Sequence, residues 1–299
     1  MARTGFWLLA CGCAVAGIFG PAWNGLEAAP EPALKVYSFD RLNTKADEDD
    51  PCPSPDGFRF YYTANAAGHF DLMMAERRAL NQPFDNPRPL EELNTKADEV
   101  GPCALPRARD GSEYLYFASQ RDAKNFDIFF TRRLRSGEPF QRIAIAPVHQ
   151  VCTEADEAHP CVTPDLLELY FSRKTKEGWR VFVARGSAPR AFEQVEPLDL
   201  PAGFCHPAVA RDGLTMYLQG PLENGRLGLF VTRRARRGAA WDKPVPLVAL
   251  NHKDAPTGDR SPALSFDGAY LYFASDRPGG KGGLDLYAVS TAELRKASK

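Results

Sequence analysis

The chain has 299 residues and a formal net charge of only −1 at pH 7. It therefore lacks the overall basic field with which many proteins gather nucleic acid or anionic membranes. Its 25 prolines and 24 glycines indicate many turns between short elements. The composition thus favours a turn-rich globular protein, and we expect no nucleic-acid partner.

Residues 1–22 predict an export signal with cleavage at its end. Arg3 supplies the positive start, and residues 6–19 form an apolar run that is too short to span a bilayer comfortably. We therefore expect a periplasmic or extracellular protein without a transmembrane span in the mature chain. A lipoprotein is the second interpretation, because residues 8–11 resemble a lipobox that would place the lipid anchor at Cys11.

The rest of the chain is organised by a repeat. Residues 23–33 are rich in proline, alanine and glutamate and are predicted to be a linker, and residues 34–42 are predicted to form one strand. One pattern then recurs five times up to residue 290: a proline, a tight turn, an aromatic strand and a closing strand, preceded in the first three repeats by an acidic opening. Residues 291–299 form a tail with room for one or two helical turns.

A tight turn marks the middle of each repeat, and Asp-Gly is its usual dipeptide. This dipeptide adopts positive φ at little cost and is therefore a strong hairpin signal. The third repeat has Asp165-Leu166 instead, so we expect its turn to differ. The predicted structural turn residues are Asp56, Gly57, Asp110, Gly111, Asp212, Gly213, Asp267 and Gly268.

The segments between the repeats predict a fourth strand. They contain proline, which suits an edge strand because proline cannot donate to a central ladder. Four short antiparallel strands with a period of about 50 residues are typical of a propeller blade. We therefore predict an all-β, five-bladed β-propeller of four-stranded antiparallel blades over residues 34–290. The last repeat lacks a fourth strand, so the N-terminal strand at 34–42 is expected to complete it and close the ring.

Two stretches carry a family pattern most clearly. Pro51–Gly57 reads Pro-x-x-Ser-Pro-Asp-Gly, and Ser261–Tyr287 contains an aromatic strand that ends in Ser-Asp-Arg, followed by Asp-Leu-Tyr. These residues resemble the TolB-type, WD-like β-propeller repeat, and the resemblance covers about residues 34–290. Such domains are mostly non-enzymatic interaction platforms, often in bacterial envelope proteins. The resemblance therefore implies an exported, non-catalytic, monomeric platform that binds an envelope protein or a glycan.

Acidic residues recur at the opening of three repeats. A ring of carboxylates at a channel mouth could hold a cation or contact a basic partner. The other interpretation is that each aspartate caps a turn by accepting backbone N–H groups. A local backbone requirement should repeat in every blade, so recurrence favours the second interpretation. The predicted structural caps are Asp47, Asp98 and Asp156.

The residue before the motif proline varies between repeats: it is Asp50, Gly101, His159, His206 or Ser261. We expect this position to lie near a mouth of the axial channel, and we predict that Asp50, His159 and His206 form part of a ligand site. Imidazole and carboxylate also suit a transition metal. Partly exposed loop histidines are the simpler interpretation, so we expect no metal and no cofactor.

The cysteines divide into two groups. Cys52, Cys103 and Cys161 follow the motif proline, where the last two repeats have alanine, and this favours a small buried residue. Cys152 and Cys205 break the pattern. If a disulfide forms in an oxidising compartment, it is predicted to join this pair.

The sequence contains no catalytic signature such as Gly-x-Ser-x-Gly, His-Glu-x-x-His or a phosphate-binding glycine loop. We therefore expect no catalytic residue and no enzymatic activity. The alternative is a glycoside hydrolase-like five-bladed propeller that uses channel-facing carboxylates as an acid–base pair. An aspartate or glutamate that faces the channel outside the repeated positions would favour this alternative.

Overall fold

The computed structural model describes residues 34–297 except 123, 143–144, 188–190 and 224. Within these residues the chain forms five four-stranded antiparallel sheets and one short helix, α1 (Thr291–Ala297). The predicted five-bladed β-propeller is therefore confirmed. The predicted export signal and linker lie outside the described residues, and no helix of the described part is long and apolar enough to cross a membrane.

Each blade is a meander that starts with its innermost strand. The first blade contains β2 (Glu48–Pro53), β3 (Arg59–Ala64), β4 (Asp71–Glu76) and β5 (Asp85–Pro89). The second contains β6 (Glu99–Ala104), β7 (Glu113–Ser119), β8 (Asp127–Arg133) and β9 (Ala146–Pro147). The third contains β10 (Glu157–Val162), β11 (Glu168–Thr175), β12 (Gly178–Ser187) and β13 (Ala191–Pro197).

The last two blades differ in how they obtain their outer strand. The fourth contains β14 (Cys205–Val209), β15 (Thr215–Pro221), β16 (Leu227–Arg233) and β17 (Val245–Pro246). The fifth contains β18 (Asp259–Leu264), β19 (Tyr270–Ser275), β20 (Asp285–Ser290) and, as its outer strand, β1 (Val36–Ser38). The N-terminal strand thus completes the last blade, as predicted from the missing fourth strand.

Side chains just after β1 fasten this ring closure. Asn43 accepts a hydrogen bond from the backbone N–H of Leu286 at 2.8 Å and donates one to its carbonyl at 3.1 Å. Leu42 is buried between the fifth and first blades, and the Phe39 ring stacks on Phe60 with centroids 4.8 Å apart. Closure therefore rests on apolar packing and on paired hydrogen bonds to a buried strand.

The acidic openings also join neighbouring blades. Asp47 accepts the backbone N–H of Leu284 at 2.8 Å, across the seam between the first and fifth blades. Asp98 and Asp156 accept the equivalent N–H groups of Phe70 at 2.8 Å and Phe126 at 3.0 Å. Each aspartate thus caps the third strand of the preceding blade rather than a turn of its own repeat.

The Asp-Leu turn of the third blade has the same backbone conformation as the Asp-Gly turn of the first blade. Gly57 has a φ of 74° and Leu166 a φ of 61°, and each donates its N–H to the residue three positions earlier at 2.8 Å. The expectation that the third turn differs is therefore wrong. Asp165 accepts the Thr163 hydroxyl at 2.6 Å, and this network holds a leucine in a conformation that usually favours glycine.

The first prediction concerns ring closure. A chain that begins at residue 43 should unfold more easily than one that begins at residue 34, because it lacks β1, Phe39 and Leu42. We expect the free energy of unfolding to fall by about 3 kcal/mol or more, since the loss of one buried leucine side chain alone costs about 2–5 kcal/mol. Urea unfolding of both chains measures this difference. Equal midpoints would contradict closure by the N-terminal strand.

Candidate functional site at one mouth of the axial channel

A β-bulge interrupts each innermost strand at the motif proline. The residue before the proline has a positive φ in all five blades, and the φ values lie between 50° and 61°. Aspartate, histidine and glycine tolerate this left-handed conformation better than most residues. We call these five residues the mouth ring, and its members are Asp50, Gly101, His159, His206 and Ser261.

The mouth ring lies at one end of a cavity of about 150 Å³ that equivalent residues of all five innermost strands line. The next residues along these strands are the motif prolines and then the slot that cysteine or alanine occupies. Each innermost strand pairs with a neighbour on one edge only, so a proline can occupy it without the loss of a hydrogen bond between strands. The cavity is the axial channel of the propeller.

Asp50 is held firmly within the mouth ring. Its Oδ2 accepts the backbone N–H of Gly101 at 3.0 Å and the hydroxyl of Thr63 at 3.3 Å. Its Oδ1 lies 3.4 Å from Nε2 of His206, which belongs to a blade across the channel. The His206 backbone N–H in turn donates to the Ser172 hydroxyl at 2.9 Å. The carboxylate is thus oriented by two donors on one oxygen and faces an imidazole with the other.

His159 stacks on His206, with ring centroids 3.2 Å apart and an interplanar angle of 25°. Its Nδ1 is buried and has no hydrogen-bond partner among the described residues. The partly exposed Trp179 lies on the blade of His159, with its ring centroid 5.7 Å from the imidazole. The mouth thus combines a carboxylate, two imidazoles and an indole.

The charges of these groups follow from their proximity. Burial alone would lower the pKa of His206, but the neighbouring Cys205 sulfur and the Asp50 carboxylate raise it to about 10. Burial alone would raise the pKa of Asp50, but the hydrogen bond and positive charge of His206 lower it to about 2. Burial and the charge of His206 lower the pKa of His159 well below its usual range. At neutral pH the cluster holds an ionised aspartate, one imidazolium and one neutral imidazole.

A second carboxylate lies beside Asp50. Burial and the Asp50 charge raise the pKa of Asp49 to about 6, although Arg260 and His206 oppose this shift. Asp49 accepts the backbone N–H of Asp50 at 2.8 Å. Neither aspartate belongs to the repeated acidic openings. The two residues before the motif proline are acidic only in the first blade. Asp50 lines the axial channel and therefore meets the condition that favours the enzymatic alternative, whereas Asp49 lies beside it and is not among the residues that line the cavity.

The structure brings together all three residues that the sequence proposes for a ligand site. It places the capping aspartates elsewhere, at the seams between blades. Sequence reasoning missed Asp49, Trp179 and Arg260, which also lie near the mouth. For Asp49 a signal was present: two acids stand before the motif proline of the first repeat alone. For Trp179 there was none, because its position depends on how far the β11–β12 hairpin reaches over the channel.

The cysteine slot forms the next layer of the channel. Cys52, Cys103 and Cys161 accept backbone N–H groups of the following blade at 3.3–3.4 Å. Burial raises the pKa of the Cys52 thiol to about 12, which keeps the thiol protonated and unreactive. Cys152 and Cys205, the predicted disulfide pair, are both free thiols in the structure. The first donates to the Ile128 carbonyl at 3.5 Å and the second lies 3.3 Å from His206 Nδ1, so each has a separate partner.

No family model matches the sequence, and no curated protein matches it. Solved structures do resemble the fold. The α-L-arabinofuranosidase from Podospora anserina, solved with cellotriose, aligns with a TM-score of 0.57 at 12% identity and covers 87% of this chain and 94% of its own. The catalytic domain of the GH62 α-L-arabinofuranosidase from Coprinopsis cinerea has a TM-score of 0.58 at 11% identity, with coverages of 84% and 92%. A putative TolB from Agrobacterium tumefaciens has a TM-score of 0.51 at 12% identity, with coverages of 80% and 76%.

These neighbours correct two predictions, namely that the chain is a non-catalytic binding platform and that it is not an enzyme. The two arabinofuranosidase structures cover more of both chains than the TolB structure does, and they favour the alternative over the main prediction. At these identities the likeness itself extends to the fold. The TolB neighbour is consistent with the propeller resemblance that the repeats carry.

The second prediction concerns the charges at the mouth. His206 should remain protonated and His159 neutral between pH 5.5 and 8, because they have pKa shifts in opposite directions. The pair of His206 with Asp50 stabilises the fold below the unfolded histidine pKa of about 6.5, and this contribution disappears as the pH rises through about 10. Imidazole ¹⁵N NMR, assigned with His159→Ala and His206→Gln, measures both states. Two histidines that titrate together near pH 6.5 would contradict the cluster.

Proposed function

We propose that the protein is a glycoside hydrolase whose reaction takes place at the mouth ring. The observation that carries this proposal is the pair Asp49 and Asp50, whose surroundings move their pKa values in opposite directions. Such a division of two neighbouring carboxyl groups into one acid and one ionised carboxylate is what glycoside hydrolysis requires. The five-bladed fold, shared with structures of glycoside hydrolases, supports the same reaction class.

Asp49 is the proposed general acid. Its pKa of about 6 keeps it protonated in mildly acidic solution, so it can donate a proton to the leaving oxygen of the glycosidic bond. Asp50 is the proposed ionised partner, which activates water or stabilises the positive charge that develops on the sugar ring. His206 supports it by holding the carboxylate in its charged form and in one orientation.

The proposed substrate is a glycan with a terminal furanose. The arabinofuranosidase structures that share the fold suggest an α-L-arabinofuranoside as the first compound to test. Trp179 supports a carbohydrate, because its partly exposed ring beside the polar cluster offers the apolar face on which a sugar can stack. The small channel volume favours one sugar unit at the carboxylates, with the remainder of the glycan outside the mouth.

We further propose that the chain belongs to the TolB-type repeat group and acts outside the cytoplasm. The repeat motifs and a TolB neighbour support the first statement. The charged start and short apolar run of residues 1–22 support export, with either a soluble monomer or a lipid anchor at Cys11. An exported chain would then have access to glycans of the cell envelope or of the extracellular medium.

The third prediction tests the two carboxyl groups. The chain should release 4-nitrophenol from 4-nitrophenyl α-L-arabinofuranoside, and Asp50→Asn and Asp49→Asn should each lower kcat/KM by at least about 100-fold, the usual range for acid–base catalysis. Asp242→Asn is the matched control, because its side chain is exposed and it lies just before β17, the outer strand of the fourth blade. Activity that survives in the Asp50→Asn variant would overturn the assignment.

The fourth prediction concerns pH. The proposed reaction needs Asp49 protonated and Asp50 ionised, so kcat/KM should fall as the pH rises through about 6 and also as it falls towards about 2. The optimum should therefore be acidic. In Asp49→Asn the fall on the alkaline side should disappear from the remaining activity. An optimum above pH 7 in the unmodified chain would contradict the assigned roles.

A further inference from the structure

We propose that the mouth ring binds one divalent transition-metal ion, of which Zn²⁺ is the representative, through Asp50, His159 and His206. One ligand atom from each of these side chains lies within 4.8 Å of the other two. The three residues come from three different blades, so the ion would join three innermost strands. This binding goes beyond the proposed hydrolysis.

The distance between two of the ligand atoms already fits a metal. Oδ1 of Asp50 lies 3.4 Å from Nε2 of His206. In a tetrahedral zinc site with bonds of about 2.0–2.1 Å, neighbouring ligand atoms are about 3.3 Å apart. The atom of His159 lies within 4.8 Å of both, so it has to approach by at most about 1.5 Å.

The ligand atoms are also oriented by their neighbours. The N–H of Gly101 and the hydroxyl of Thr63 occupy Oδ2 of Asp50 and leave Oδ1 directed into the ring. The Cys205 sulfur lies 3.3 Å from Nδ1 of His206, so Nε2 is the nitrogen that faces Asp50 and the ring. Outer partners of this kind fix the orientation of metal ligands.

One buried polar atom of the ring lacks a partner. Nδ1 of His159 is buried without a hydrogen-bond partner among the described residues. A buried polar atom without a partner is costly, and such atoms call for an ion or a water molecule. A metal bound by this nitrogen would satisfy His159. The two stacked imidazoles would have to turn apart from their present angle of 25°.

The ligand types select the class of metal. Two imidazole nitrogens and one carboxylate suit zinc and its transition-metal neighbours, with a fourth position open to water. Calcium and magnesium prefer six or more oxygen ligands and should not compete. The metal site rests on the proposed hydrolysis in one respect only: an ion bound to Asp50 would occupy that carboxylate and inhibit the reaction. Metal binding itself needs no substrate, so it can be measured whether or not the chain hydrolyses a glycoside.

Isothermal titration of the full chain, free of any affinity tag, with Zn²⁺ alone tests the site. We expect one ion per chain and no heat of binding with Ca²⁺. His159→Ala should weaken binding by more than about 10-fold, the effect seen when even an outer partner of a ligand is lost. His149→Ala is the matched control, because this histidine is exposed and follows β9, the outer strand of the second blade; the affinity of this variant for Zn²⁺ should be unchanged. Equal affinity in His159→Ala and the unmodified chain would overturn the proposal.

Cobalt absorption then distinguishes the ring from the thiols. Co²⁺ bound by nitrogen and oxygen in a four-coordinate site should give intense visible d–d bands without a thiolate charge-transfer band. His206→Gln should abolish these bands, and thermal melting shows whether this variant remains folded. A thiolate band, or unchanged bands in a folded His206→Gln variant, would place the ion elsewhere and overturn the proposal.

Discussion

The left-handed backbone conformation at the five bulges is the constraint on which the site depends. A bulge with positive φ, placed before a proline on a strand edge that needs no further pairing, turns one residue of each blade towards the channel. A non-glycine residue in this conformation carries strain, so the ring of hydrogen bonds around it has to hold it in place. Asp50, with two donors on one oxygen, shows how this is achieved.

That geometry also explains the electrostatics. A propeller of five blades has a narrow channel, so side chains from opposite blades meet within hydrogen-bond range, as Asp50 and His206 do. Burial is the largest cause of the pKa shifts of their neighbours, and the pair adds to it: the charge of His206 lowers the pKa of His159, and the charge of Asp50 raises the pKa of Asp49. The Asp50–His206 pair therefore contributes to the acid–base contrast that supports the proposed hydrolysis, and it supplies two members of the cluster that suits a metal.

The fold could be predicted from the sequence because its signals are local and repeated. Asp-Gly turns, aromatic strands and the missing last strand each follow from the chemistry of a few residues. The mouth position could be found because aspartate, glycine, histidine and serine share one slot, although these residues also share a tolerance of positive φ. The stacking of His159 on His206 and the approach of Trp179 could not be predicted, since they depend on the width of the channel. Leu166 shows the limit of turn rules, because hydrogen bonds override its preference.

The most direct test of the account is a double-mutant cycle between Asp50 and His206, measured by urea unfolding at pH 7 with Asp50→Asn, His206→Gln and the double variant. If the bulges bring these residues together across the channel, the coupling free energy should be at least about 1 kcal/mol, as for other buried charged hydrogen-bonded pairs. A coupling below about 0.3 kcal/mol, the scatter expected for independent sites, would show that the two side chains do not meet and would contradict the account.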